Sequence, residues 1–179
     1  MKYHIDIFDN HLILLDREAR LLIDTGAPFS ISNESEINLF GHIYRTSQNY
    51  LGLTIDELSR EVGCELNALI GGDILKNHRF QVDFRNRLFS ITDDLTSEDT
   101  EDCISLELFM DIPIIEIGLG PNTIKGFLDT GAKISYLKSA HVEEFAPTGN
   151  REDFYPTYGR FKTPTYEVPV KLNGREIIL

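Results

Sequence analysis

Apolar and polar positions alternate from the start of the chain. Tyr3, Ile5 and Ile7 are separated by polar residues, the period of two that marks a half-buried strand. Residues 11–16 and 20–23 repeat the signal at hairpin spacing,. Thr54-Ile55-Asp56-Glu57 has the Thr-x-x-Glu form of a capping box, and Gly63 stands where a short helix would stop,. Residues 67–70 predict another strand and 72–76 a helix start. Residues 79–84 and 88–92 predict a hairpin around Arg85-Asn86-Arg87. Later, 104–119 predicts apolar strands broken near Asp111 and Pro113. A turn at Gly120-Pro121-Asn122 leads to a strand over 124–128, and 139–145 predicts one short helix. Residues 166–172 and 175–179 flank Asn173-Gly174, a pair that readily supplies the positive φ angles of a two-residue hairpin turn. The pattern predicts a mostly β protein with a few short helices.

One segment breaks this pattern. Residues 93–102 hold six acids and a single apolar residue. Like charges repel and do not pack, so this stretch predicts a solvated linker. The expected division is an N-terminal lobe over 1–93, an acidic linker over 94–102 and a C-terminal lobe over 103–179.

Composition narrows the function. Lys plus Arg is 17 against 29 Asp plus Glu, a formal net charge of −12. An acidic surface argues against nucleic acid and anionic membranes as partners, since both require a basic face. No apolar run reaches the roughly 18 residues of a membrane helix. Asp6 and Asp9 interrupt the place where an export signal needs an apolar run,. Cys64 and Cys103 form no disulfide framework or zinc knuckle,. A cytoplasmic protein with reduced thiols is expected. The five histidines show no ligand spacing, so no metal is expected,.

The chemistry lies in a repeat. Leu22-Ile23-Asp24-Thr25-Gly26-Ala27-Pro28-Phe29-Ser30-Ile31 is matched by Phe127-Leu128-Asp129-Thr130-Gly131-Ala132-Lys133-Ile134-Ser135-Tyr136. At this composition one chance Asp-Thr-Gly is expected about once in fifteen such chains. Two copies in matched apolar context are a strong signal. A carboxylate at a strand end, followed by a Gly turn, is held at the surface of its lobe. Two such lobes facing each other bring two carboxylates together. Like charges in contact share a proton, so one acts as base while the other acts as acid. A water between them can then attack an amide carbonyl.

On these motifs the chain resembles the aspartic peptidases of the pepsin–retropepsin clan, in a single-chain, two-lobed β-barrel form. Leu69-Ile70-Gly71-Gly72-Asp73-Ile74-Leu75 resembles the clan's apolar-apolar-Gly segment, which threads behind the catalytic loop. The resemblance implies Asp24 and Asp129 as the catalytic pair. It implies Thr25 and Thr130 as cross-links between the loops, and Gly26 and Gly131 as the residues permitting the close turn. Ala27 and Ala132 match the retropepsin pattern. The implied activity is aspartic endopeptidase cleavage of peptide or protein substrates without a cofactor. A non-catalytic peptide-binding module on the same fold is the alternative.

Two departures from the clan carry expectations of their own. Residues 30–54 offer no long hairpin to close over a substrate. The stretch 153–172 stands where such a flap would sit, with Tyr155 and Tyr158 as candidate substrate contacts. The second lobe has no counterpart of Leu69-Ile70-Gly71, since the equivalent offset falls at Glu176. An incomplete, truncated second lobe is therefore expected, in a monomer. A homodimer is the alternative, if another chain completes that lobe.

Overall fold

The computed structural model describes residues 1–91 and 103–179. The expected linker, 94–102, lies outside the described residues. The described part is mostly strand with few helices.

The first half runs β1 (Lys2–Phe8), β2 (His11–Asp16), β3 (Ala19–Ile23), β4 (Ile31–Ser32), β5 (Glu36–Leu39), β6 (His42–Arg45), β7 (Asn49–Tyr50) and β8 (Leu53–Thr54). Helix α1 (Ile55–Val62), β9 (Ala68–Ile70), helix α2 (Gly72–Leu75), β10 (Phe80–Asp83) and β11 (Leu88–Ile91) follow. β1, β2 and β3 form an antiparallel meander. Its first turn, Asp9-Asn10, holds φ at 45° and 68°, the left-handed geometry that matches strand twist in a two-residue hairpin. β9 returns to lie parallel to β3, with β4 antiparallel on its other side. The sheet order is β10-β11-β1-β2-β3-β9-β4.

Strand alternation sends apolar side chains to both faces of this sheet. Leu14, Leu21, Ile23 and Ile70 join Phe40, Ile74 and Phe89 on one face. Ile13, Leu22, Ile31 and Leu69 meet Ile55, Leu58 and Val62 of α1 on the other. Each fully buried aliphatic side chain here contributes about 1.5–3 kcal/mol. α1 starts where the capping box predicts. The Thr54 hydroxyl accepts from the Glu57 N–H and the Glu57 carboxylate accepts from the Thr54 N–H, while Gly63, at φ 85°, ends the helix. Its apolar face therefore has a fixed entry onto the sheet.

The second half runs β12 (Glu107–Phe109), β13 (Ile112–Leu119), β14 (Asn122–Phe127), β15 (Gly149–Tyr155), β16 (Gly159–Thr165), β17 (Pro169–Leu172) and β18 (Arg175–Ile178). β13 is the centre, with β14 on one edge and β12 and β17 pairing at its two ends. β12 to β14 repeat the opening meander, including a left-handed turn at Met110-Asp111 with φ of 51° and 66°. The buried core is small: Leu119, Val168 and Val170, flanked by half-buried neighbours. Asn173-Gly174 turns β17 into β18 with φ of 49° and 76°.

Several expectations are corrected. No sheet closes into a barrel among the described residues; the seven-stranded sheet stays open, ending at β10 and β4. The helix expected over 139–145 is only a 3-10 turn, Ser139–His141. Its cap Val142 has left helical geometry at φ −119°, and a segment this short does not nucleate a helix. Residues 30–54 hold two short hairpins, β5–β6 and β7–β8, in keeping with the expectation of no long one there. The long hairpin of the second half starts at Gly149, earlier than 153. Among the described residues no helix is long and apolar enough to cross a membrane.

Candidate functional site

Each Asp-Thr-Gly follows the last strand of its meander. The Asp24 N–H donates to the Ile70 carbonyl at 3.0 Å, which fixes Asp24 at the point where β3 leaves β9. Beyond it the chain folds back on its own carboxylate. Oδ1 of Asp24 accepts from the N–H groups of Gly26 and Ala27 at 2.9 and 3.0 Å. Oδ1 of Asp129 accepts from those of Gly131 and Ala132 at 2.9 and 3.1 Å. The two loops thus share one geometry, as their shared sequence requires.

The loops face each other. The Thr25 hydroxyl donates to the Leu128 carbonyl at 2.5 Å, and the Thr130 hydroxyl donates to the Ile23 carbonyl at 2.7 Å. Each hydroxyl oxygen also accepts the other threonine's backbone N–H, at 3.1 Å to Thr130 and 3.0 Å to Thr25. This four-bond lattice is related by an approximate two-fold. A Cβ added to Gly26 would land on the Asp129 carboxylate, and one added to Gly131 would land on that of Asp24. Only glycine leaves room for the opposing acid.

Proximity has an electrostatic consequence. The Asp24 carboxyl is pushed up to about 8. Burial is the largest cause, followed by the charge of Asp129 and the hydrogen bond between the two carboxyl groups. The N–H groups of Gly26 and Ala27 pull the other way. Asp24 therefore keeps its proton into the neutral range,. Asp24 is half-buried and Asp129 is exposed, so water reaches the pair from the side of the second half.

The pair opens into a cavity of about 550 Å³. Phe29, Leu51 and Phe127 supply apolar lining from both halves. The hairpin β15–β16 forms its roof and is pinned at three places. Phe154 packs against the first half's apolar cluster, which includes Leu22, Leu58 and Leu69. Nε of Arg160 pairs with Oε2 of Glu61 on α1 at 3.0 Å. The Tyr136 hydroxyl donates to Asp153, and burial together with that carboxylate raises the phenol above its ordinary value. At the cavity Lys133 pairs with Asp9, and elsewhere between the halves Lys76 pairs with Asp111 at 2.6 Å.

Of the residues singled out from sequence, Asp24, Asp129, Gly26, Gly131, Thr25 and Thr130 come together. Tyr155 lines the cavity. Tyr158 does not: it is 77% exposed and stands edge-on to Phe161 at the outer end of the hairpin. Phe154, Tyr136, Arg160 and Glu61 escaped the sequence reading. The available signal was Gly159, whose φ of 83° makes the turn that sets which hairpin residues face inward. Ser30 bonds the loop behind Asp24, accepting from the Gly71 N–H at 2.9 Å and donating to Asp73 at 2.7 Å. No group of three or more metal-ligating side chains exists among the described residues. Comparison with family models, curated proteins and solved structures returned no match.

Proposed function

We propose that the chain is an aspartic-type endopeptidase built from two retropepsin-like lobes, with Asp24 and Asp129 as its catalytic pair. The observation that carries this reading is the opposition of the two carboxylates across Gly26 and Gly131. With one proton between them, the ionised carboxylate takes a proton from a water as it attacks the scissile carbonyl carbon. The protonated carboxyl donates to the carbonyl oxygen. The resulting gem-diol collapses as a proton passes to the leaving nitrogen, and both acids return to their starting states. An extended peptide would lie in the cavity beneath β15–β16, pairing by its backbone with the hairpin. Phe29, Leu51 and Phe127 favour apolar side chains beside the cut bond.

The test is digestion of a mixed peptide pool between about pH 3 and 8, read by mass spectrometry, with Asp24→Asn and Asp129→Asn in parallel. Cleavage abolished by either single change supports the shared pair; cleavage surviving both overturns it. The exposure of Asp129 favours a second reading, a peptide-binding module that does not cut, because catalysis gains from a site closed to bulk water,. That reading is supported if a statine-type peptide mimic binds the parent and Asp129→Asn equally.

A further inference from the structure

The cavity at the two acids has walls of different character. Phe29, Tyr50 and Leu51 of the first half give it an apolar side. Phe29 and Leu51 are exposed, and the Phe29 ring stands 6.0 Å from that of Tyr50. The hairpin β15–β16 gives it a charged side. Glu152 lies two residues before Phe154, so strand alternation puts both on the face turned to the first half, and both line the cavity.

The ion pairs around this cavity leave one side chain without a partner. Lys133 and Arg160 are already held, by Asp9 and Glu61. Asp153 accepts from the Tyr136 hydroxyl and from the Phe154 N–H. Glu152 has no such bond among the described residues. Lys162 stands opposite it in the strand register, but no ion pair joins the two. Lys162 also lies outside the cavity lining, whereas Glu152 is exposed within it. A carboxylate entering the cavity would meet cations already taken, and drawing one away would strand Asp9 or Glu61. A cation entering it would meet a carboxylate with no bond to give up. Complementarity of this kind sets which ligand is accepted more than how tightly it is held.

We propose that Glu152 selects peptides by charge: the preferred substrate carries a lysine or arginine where its extended chain passes under β15, together with an apolar residue against Phe29 and Leu51. This rests on the peptidase reading of the same cavity and adds a requirement that the two acids do not impose. Asp24 and Asp129 act on the amide group, which every peptide has, so selectivity comes from the walls. Those walls belong to different halves and offer different chemistry, so the two side chains of the substrate are read separately. A solvent-accessible carboxylate–ammonium pair is weak and is screened by salt. The preference is therefore graded, about fivefold for lysine over an uncharged side chain of similar length, and it fades as salt is raised.

The probe is a series of short synthetic peptides with an apolar pair at the centre. Lysine, norleucine or glutamate occupies each remaining position in turn, and kcat/KM is measured with the full chain. Taking the lysine-to-norleucine ratio within one protein cancels any loss of folded enzyme in a variant. The expected ratio is about five at one position, near one there in Glu152→Gln and inverted in Glu152→Lys. It should shrink between about 0.05 and 0.5 M salt, and glutamate should be the poorest of the three. A ratio near one at every position overturns the proposal. So does a lysine preference that survives Glu152→Gln or is unmoved by salt. If nothing is cut, the same series built on a statine-type centre decides by its binding. Lysine mimics that bind more tightly than norleucine ones, and lose that advantage in Glu152→Gln, leave the charge selection standing while the peptidase reading falls. Equal binding of the two, or no binding of either, overturns the charge selection as well.

Discussion

Thr25 and Thr130 each give their hydroxyl proton to a carbonyl of the opposite half and take the other's backbone N–H in return. Thr25 is buried, with 8% of its surface exposed, and Thr130 is half-buried. Thr25→Val keeps the shape and removes both bonds at that hydroxyl, leaving the Leu128 carbonyl and the Thr130 N–H without it. Two such bonds are worth about 2 kcal/mol together. Urea unfolding should show a loss of that order, larger for Thr25→Val than for Thr130→Val. Thr25→Ser, which retains the hydroxyl, should lose less than half as much.

The shared proton makes stability depend on pH. The Asp24 carboxyl sits at about 8 in the folded chain, against an ordinary value near 3.9 when unfolded. Between those limits the folded state holds a proton that the unfolded state has released. Stability from this group is therefore fully present below about pH 4 and is lost as pH rises toward 8. Melting temperatures of the parent should fall across that window relative to Asp24→Asn, whose amide does not titrate. Parallel curves for the two proteins would remove the shared proton from the account. Under the proposed reaction, cleavage should also fade above about pH 8, when both carboxylates are ionised.

Gly131→Ala should be more damaging than a surface Gly→Ala change. The added methyl would overlap the Asp24 carboxylate, so the loops must separate to admit it. Overpacking of this kind costs about 1–3 kcal/mol. The variant should bind a statine-type mimic at least tenfold more weakly, and Gly26→Ala should match it because the contact is reciprocal. Calorimetric titration of both variants measures this directly.

Two of the anchors of the hairpin β15–β16 reach the first half, and they are of unequal strength. The Arg160–Glu61 pair is solvent-accessible on the arginine side, and exposed pairs contribute at most about 1 kcal/mol. Phe154 is set among apolar side chains of the first half, and truncating it forfeits more packing than the ion pair supplies in attraction. Phe154→Ala should therefore speed hydrogen exchange over 150–164 more than Arg160→Ala does. Equal effects would mean that the ion pair holds the roof.

Local signals were legible where one residue type dictates geometry. Thr54 and Glu57 announced α1, Gly63 its end, and Asn173-Gly174 the β17–β18 turn. The repeat around Asp24 and Asp129 announced two equivalent loops. What was not legible arises from long-range contact. The β5–β6 hairpin turns at Phe40-Gly41, and Phe40 adopts φ of 55°. A bulky residue rarely signals a left-handed turn. It is held there because its ring is buried against Tyr3, His78 and Phe89, residues far away in sequence. The inward face of Phe154 was hidden for the same reason, since the apolar cluster it packs against belongs to the first half. An open sheet in place of a barrel likewise depends on which edges find partners, and periodicity carries no information on that.

Among the described residues, the roofing hairpin comes from one side only. Asp24 and Asp129, with their threonines and glycines, form a nearly two-fold arrangement, and such a centre presents the same face to a chain entering from either direction. β15–β16 comes from the second half alone and rests on α1 of the first. Its hydrogen-bonding edge has a single sense. A ligand strand running one way would pair with it antiparallel and one running the other way parallel, so the two directions through the cavity are told apart at the roof and not at the acids.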